Sequence, residues 1–285
     1  MVDLLPPNLV LDELLKNWLL EDIGRGDRTT ASLSVSNTRG EAHWIVKEAG
    51  AIAGLPIASR VFTLLNQSVE FTAQVQEGEY CQPSQIIARI NGPLDALLMG
   101  ERVALNLVMR LSGIASMTRQ YAEIIADLPT QLVDTRKTTP GLRILEKYAT
   151  LVGGAKNHRY GLDDAVMIKD NHIRAAGGIP QAIALVKKSM PYPLTIELET
   201  ENLTEVQQAL EHGADIIMLD NMAIDLMTQA VQIIRNHNPM VRIEASGNIT
   251  LNTIRNVALT GVDYISTSAP ITRSTWLDIS MKIDY

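Results

Sequence analysis

The sequence predicts an α/β protein, on three observations. Beyond residue 130, short apolar runs alternate with amphipathic stretches, the pattern of βα units and a parallel sheet. Upstream, residues 40–92 are dominated by short runs rich in β-branched or aromatic residues and bounded by Gly or Pro. In the second half, each apolar run ends in chemistry-bearing polar residues, as the functional face of a (β/α) barrel requires.

Taken in chain order, residues 8–23 read as an amphipathic helix. Leu11, Leu14, Leu15, Trp18 and Leu19 fall on one face, and Gly24 stops it. AHWIV, SVEFTAQV and QIIARI are the strands of the first region. Residues 93–126 read as one or two long helices, with Gly113 as the expected break. The second region offers six strands: 131–135, 165–170, 194–200, 215–220, 241–246 and 262–267. That number suits a (β/α) barrel, complete or incomplete, better than a separate small sheet. TWLDISMKIDY then alternates like a strand and is expected to return to the first sheet.

Composition narrows the function classes. The chain has 285 residues, 46% hydrophobic and 20% charged, with a net charge of −7. An acidic chain is a poor candidate for broad nucleic-acid binding. The single Cys81 forbids an internal disulfide. Seven charges in the first 25 residues argue against a secretory signal, and no long uncharged apolar run suggests a membrane span. The expectation is a soluble cytoplasmic protein.

The strand ends carry Asp134-Thr135-Arg136-Lys137, Lys169-Asp170-Asn171-His172, Glu197 with Glu199, Asp220-Asn221, Glu244 with Ser246-Gly247-Asn248, and Ser266-Thr267-Ser268. Taken singly, such residues are mostly solvated surface, but their recurrence at one end of successive strands points to a site. Glu197 and Glu199 share a strand face and, with Asp220, offer oxygens suited to Mg²⁺. Arg136, Lys137, Arg159 and Lys169, with His158 and His172 nearby, suit a polyanionic substrate. Ser246–Asn248 and Thr267–Ala269 follow late strands, the usual place of a barrel phosphate site. Read blandly, Asp170 and Asn171 cap a helix, Lys137 neutralises Asp134, and Glu197 and Glu244 are buried partners of a Lys.

The stretches EDIGRGDRTT (21–30), GERVALNLVMRLSGIAS (100–116), DTRKTTPGLR (134–143), KNHRYGLDDAVMIKDNHI (156–173), IELE (196–199), MLDNM (218–222) and EASGNI (244–249) resemble the quinolinate phosphoribosyltransferase family. The resemblance implies an N-terminal α/β sandwich over residues 1–105, with 270–285 returning to it, and an incomplete seven-stranded α/β barrel over 106–269. It implies conversion of quinolinate and 5-phosphoribosyl 1-diphosphate to nicotinate mononucleotide, diphosphate and CO₂ on the de novo route to NAD. It further implies Mg²⁺ and a homodimer with shared active sites. By motif, Arg136, Arg159 and Lys169, with Thr135, hold the quinolinate carboxylates, and Arg102 reaches in from the neighbouring subunit. Lys137 and His158 contact quinolinate or diphosphate, and Glu199 and Asp220 hold Mg²⁺ and the ribose hydroxyls. Ser246, Gly247, Asn248, Thr267, Ser268 and Ala269 receive the 5-phosphate. The chain departs from the family pattern at Gly153-Gly154-Ala155 and at Thr267–Pro270.

Three other readings are weighed: a Schiff-base lyase using Lys169 or Lys137, a nicotinate phosphoribosyltransferase, and a catalytically silent phosphate-binding paralogue. Several cations at the acid site favour a dicarboxylate over nicotinate, and the Arg-rich motifs argue against the lyase.

Overall fold

The structure is a computed structural model that describes residues 5–33, 35 and 38–284. In chain order its elements are α1 (Asn8–Ile23), α2 (Arg28–Leu33), β1 (Arg39–Val46), β2 (Gly50–Ala51), α3 (Leu55–Leu65), β3 (Glu70–Ala73), β4 (Tyr80–Cys81), β5 (Ile86–Pro93), α4 (Leu94–Ile124), β6 (Gln131–Val133) and α5 (Arg143–Val152). They continue with β7 (Val166–Ile168), α6 (Asp170–Ala176), α7 (Ile179–Ser189), β8 (Ile196–Thr200), α8 (Leu203–His212), β9 (Ile216–Asp220), α9 (Ile224–His237), β10 (Arg242–Ser246), α10 (Ile254–Ala258), β11 (Tyr264–Ser266), α11 (Ala269–Thr272) and β12 (Ile279–Asp284). Two compact units result: residues 1–119, 144–154 and 273–285, and residues 120–143 and 155–272. The boundary read from the sequence, at 105/106, lies inside α4, whose buried stripe runs on through Val108, Leu111 and Ile114.

The first unit is built on an antiparallel sheet in the order β12-β1-β5-β3. Alternation along β1 turns Ala42, Trp44 and Val46 inward. Trp44 meets Phe71 and Phe62 edge-on, with ring centroids 5.6 and 6.3 Å away. Helix α1 buries Leu11, Leu15 and Leu19, and α3 buries Leu55, Ile57, Val61 and Phe62. α5 joins this unit through the Glu146–Arg110 ion pair at 2.8 Å and the Tyr148 hydroxyl, which donates to Glu77 at 2.5 Å.

The expected break at Gly113 is absent: α4 is one helix of 31 residues. Gly113 answers a tertiary demand instead. A Cβ there would lie 1.8 Å from the Thr275 carbonyl oxygen, so only glycine lets the two backbones approach.

The second unit holds a parallel sheet in the order β6-β11-β10-β9-β8-β7, with helices between successive strands. Among the described residues it has six strands, not the seven implied by the resemblance. The seventh place is taken by a single parallel bridge, Val133 to Lys156. There Lys156 N donates to Leu132 O and Asp134 N donates to Lys156 O. Only nine residues lie between Lys156 and Val166 at the start of β7, and among them are Asn157, His158 and Arg159. That is too little chain for a full strand and a crossover. The sheet therefore stays open between its two outer members, and the loop joins them.

Candidate active site

Parallel pairing sets which side chains share a face, because paired residues point the same way. Glu199 and Glu244 both pair with Met218, and Ser246 pairs with Asp220. Glu197 lies two residues before Glu199 on that same face, which turns away from the buried Leu198 and Thr200. One sheet face thus carries Glu197, Glu199, Asp220, Glu244 and Ser246.

The remaining predicted residues of this unit follow strand ends. Thr135, Arg136 and Lys137 follow β6, and Lys137 N donates to the Thr135 hydroxyl at 3.0 Å. Lys169 follows β7 and donates from Nζ to Glu199 Oε2 at 2.5 Å. Ser246 ends β10, Gly247 and Asn248 follow it, and Thr267, Ser268 and Ala269 follow β11. All lie at the C-terminal edge of the parallel sheet, where barrel enzymes place their chemistry. Arg102 lies in the first unit, exposed on α4.

His158 occupies the centre of a buried acid cluster. Its Nε2 is 3.0 Å from Glu197 Oε2 and 3.4 Å from Glu244 Oε2, and both carboxylates are almost fully buried. The bland expectation of a Lys partner for these glutamates is corrected: the partner is His158. Burial opposes a charged ring, but the two facing carboxylates outweigh it and favour a proton on Nε2. Burial also raises Glu197, reinforced by Glu244 and opposed by His158. His158 Nδ1 accepts the Arg159 backbone N–H at 2.8 Å, so that nitrogen offers a lone pair and the ring proton lies on Nε2, facing the two carboxylates.

Asp134 is nearly buried and accepts from Asn157 Nδ2 at 2.6 Å and from the His158 N–H at 2.8 Å. Lys137 therefore does not stand as the partner expected for it. Arg159 donates to the Ala165 carbonyl at 2.8 Å. Burial, and then the neighbouring Arg136, hold its pKa below the usual guanidinium value, so the structure brings these two cations together. Arg143 binds the Thr138 hydroxyl at 3.1 Å and the Tyr160 carbonyl at 2.9 Å, tying the loop after β6 to the loop before β7.

The ends of β9 and β10 are joined by left-handed backbone. Asn221 and Asn248 have φ of 52° and 51°, and Gly247 has 96°. Asn221 donates from Nδ2 to Asp220 at 2.7 Å and accepts from Asn248 Nδ2 at 3.0 Å. Asn is among the residues that tolerate left-handed backbone best, which suits it to position 221. Capping also differs from expectation. Lys169, not Asp170 or Asn171, is the N-cap of α6, and His172 Nδ1 accepts the Lys169 N–H at 3.0 Å.

Two carboxylate sets are candidates for a metal. Glu199 and Asp220 carry hard oxygens and are only partly buried, which fits the chemistry of Mg²⁺. His158, Glu197 and Glu244 have ligand atoms within 4.8 Å of one another. A metal on Nε2 would require the ring proton on Nδ1, where the Arg159 N–H already points. The second set is therefore an acid–base cluster.

The sequence matches the family description "Quinolinate phosphoribosyl transferase, N-terminal domain" over residues 27–112 and the corresponding C-terminal domain over 114–282. A Synechocystis protein named "Probable nicotinate-nucleotide pyrophosphorylase (carboxylating)" is 60% identical over 279 residues, 98% of this chain and 94% of its own length. A Nicotiana tabacum protein named "Quinolinate phosphoribosyltransferase (decarboxylating) 2b, mitochondrial" is 38% identical over 98% of this chain and 83% of its own. The crystal structure of NadC from Streptococcus pyogenes superposes with a TM-score of 0.93 at 40% identity, covering 98% of both chains.

Proposed function

Because the chain belongs to the quinolinate phosphoribosyltransferase family, we propose that its second unit transfers the phosphoribosyl group of 5-phosphoribosyl 1-diphosphate to quinolinate. The products are nicotinate mononucleotide, diphosphate and CO₂, on the de novo route to NAD. The observation that carries this is the gathering of Arg136, Lys137 and Lys169 after strand ends at the same edge of the parallel sheet as Glu199 and Asp220.

Arg136, Arg159 and Lys169, with Thr135, take the two carboxylates of quinolinate, and their charge offsets the repulsion between two anionic substrates. Lys137 and His158 stand beside them. Glu199 and Asp220 are the residues that would hold Mg²⁺ and the ribose hydroxyls. When bound, Mg²⁺ neutralises charge on the diphosphate. Ser246, Gly247 and Asn248, together with Thr267, Ser268 and Ala269, receive the 5-phosphate. Held in line, the ring nitrogen displaces diphosphate at the anomeric carbon, so catalysis rests on positioning and charge stabilisation. Alkylation leaves the ring nitrogen positive, and that charge stabilises the electron pair left at C2 when CO₂ departs, until C2 takes up a proton from water. The same reading makes the protein a cytoplasmic homodimer in which Arg102, exposed on α4, serves the neighbouring subunit's site.

The test is a product assay with Mg²⁺, 5-phosphoribosyl 1-diphosphate and either quinolinate or nicotinate. Nicotinate mononucleotide from quinolinate, abolished by a chelator and restored by Mg²⁺, is expected. Product from nicotinate alone would overturn the assignment of the cation cluster.

A further inference from the structure

We infer that Glu197 and Glu244 are positioning residues that fix the His158 ring so that it braces the Arg159 backbone at the acid-binding edge. The inference deepens the reading above and rests on it for the identity of the substrate.

Three observations carry it. First, both nitrogens of His158 are committed. Nε2 faces Glu197 and Glu244 at 3.0 and 3.4 Å, and Nδ1 accepts the Arg159 N–H at 2.8 Å. A ring held in this way cannot turn without breaking bonds on both sides. Second, its main chain is held independently, because the His158 N–H donates to the buried Asp134 at 2.8 Å. Residues 158 and 159 are thereby tied to the β6 end by Asp134 and to β8 and β10 by the two glutamates. They lie in the loop that joins the two outer members of the sheet, where no strand partner fixes the backbone. Third, Glu197 Oε1 and Glu244 Oε1 are buried without a hydrogen-bond partner. An unsatisfied buried oxygen costs stability, and an apolar residue of similar size avoids that cost. Two such oxygens on one face are a poor solution for a core and a reasonable one for aiming a ring.

The brace needs an acceptor opposite Nε2–H rather than a second charge. Gln at 197 or 244 keeps an acceptor oxygen, whereas Met of similar size does not. The test compares Glu197→Gln, Glu197→Met, Glu244→Gln and Glu244→Met with wild type, measuring KM separately for the two substrates, kcat, and thermal midpoint. The Met variants are expected to raise KM for quinolinate at least tenfold. KM for 5-phosphoribosyl 1-diphosphate and kcat should stay within about threefold, with the thermal midpoint unchanged or higher. The Gln variants should return KM for quinolinate to within about threefold of wild type.

Unchanged quinolinate KM in folded Met variants would overturn the inference. So would Gln variants as impaired as Met variants, which would make charge the requirement. So would parallel losses in both KM values with a lowered midpoint, which describe a purely structural cluster. A second readout needs no turnover. Long-range ¹⁵N–¹H correlation of the histidine side chains at neutral pH is expected to show His158 protonated at Nε2 and bare at Nδ1, and a proton on Nδ1 overturns the brace. If wild type makes no product from quinolinate, the functional reading fails while this tautomer measurement still decides the inference.

Discussion

Replacing Gly247 by Ala tests whether the joined ends of β9 and β10 are a built feature of the site. Gly247 has φ 96°, and a Cβ there would sit 2.2 Å from Asn221 Oδ1 and 2.9 Å from Asn221 N. Left-handed backbone costs an L-residue about 1–2 kcal/mol. Forcing Asn221 aside adds about 1–3 kcal/mol, by analogy with overpacked interiors. The sum, about 2–5 kcal/mol, corresponds to a urea midpoint lowered by roughly 1–2.5 M at an m-value near 2 kcal/mol/M. Far-UV circular dichroism reads it. Kinetics should report the same displacement. Asn221 holds Asp220 at 2.7 Å, so KM for 5-phosphoribosyl 1-diphosphate should rise more than KM for quinolinate. A second variant separates the two costs. Asn221→Gly on the Gly247→Ala background removes the colliding side chain and tolerates φ 52° at 221, so part of the loss should return. A wild-type midpoint for Gly247→Ala, or strict additivity in the double variant, would refute the reasoning.

Three further outcomes are expected. Arg136→Ala should cut kcat/KM for quinolinate by about 10²-fold through loss of a charge-assisted contact, and steady-state kinetics with saturating donor reads it. Arg255→Ala should narrow acid stability. Hydrogen bonds from Arg255 hold the Asp127 pKa down at about 2, below its ordinary 3.8. A depressed carboxyl contributes stability above its unfolded value and loses it as pH falls through the folded one. Wild type and variant should therefore differ above pH 4 and converge toward pH 2, with the difference shrinking in high salt because the pair is exposed. Quinolinate alone should raise the thermal midpoint, by an amount equivalent to about 2.7 kcal/mol at a hundredfold excess over Kd, and no shift at saturation would remove Arg136 and Arg159 from an anion site.

The parts of the fold legible in the sequence are those whose cause is local. Strands β6 to β11 stand out because each is a short apolar run between amphipathic stretches, and α1 because its apolar spacing is helical. Gly113 was misread because its reason lies 162 residues away, at the Thr275 carbonyl (275 − 113). The missing seventh strand has a similar cause. Lys156 pairs with Val133 across the sheet, and nothing in its neighbourhood says that the pairing stops after one bridge. At the site, residue types and strand ends were readable, but orientation was not. The resemblance sets both His158 and Arg159 against substrate. In the structure Asn157 turns to Asp134, His158 turns to Glu197 and Glu244, and Arg159 is the cation set beside Arg136.

That division explains how a net acidic chain can present a cationic edge. Glu199 is committed to Lys169, Glu197 and Glu244 to His158, and Asp134 to Asn157 and the His158 N–H. The carboxylates nearest the cations are thus largely engaged before any substrate arrives. Arg136 and Arg159 are left close enough for one to lower the pKa of the other. Two guanidiniums held together repel, and an anion placed between them relieves that repulsion while making its own contacts. A dianion with adjacent carboxylates can answer both guanidiniums, whereas a monocarboxylate leaves one without a partner. On the proposed reading, preference for quinolinate over nicotinate then follows from the arrangement of the carboxylates behind the cations as much as from the cations themselves.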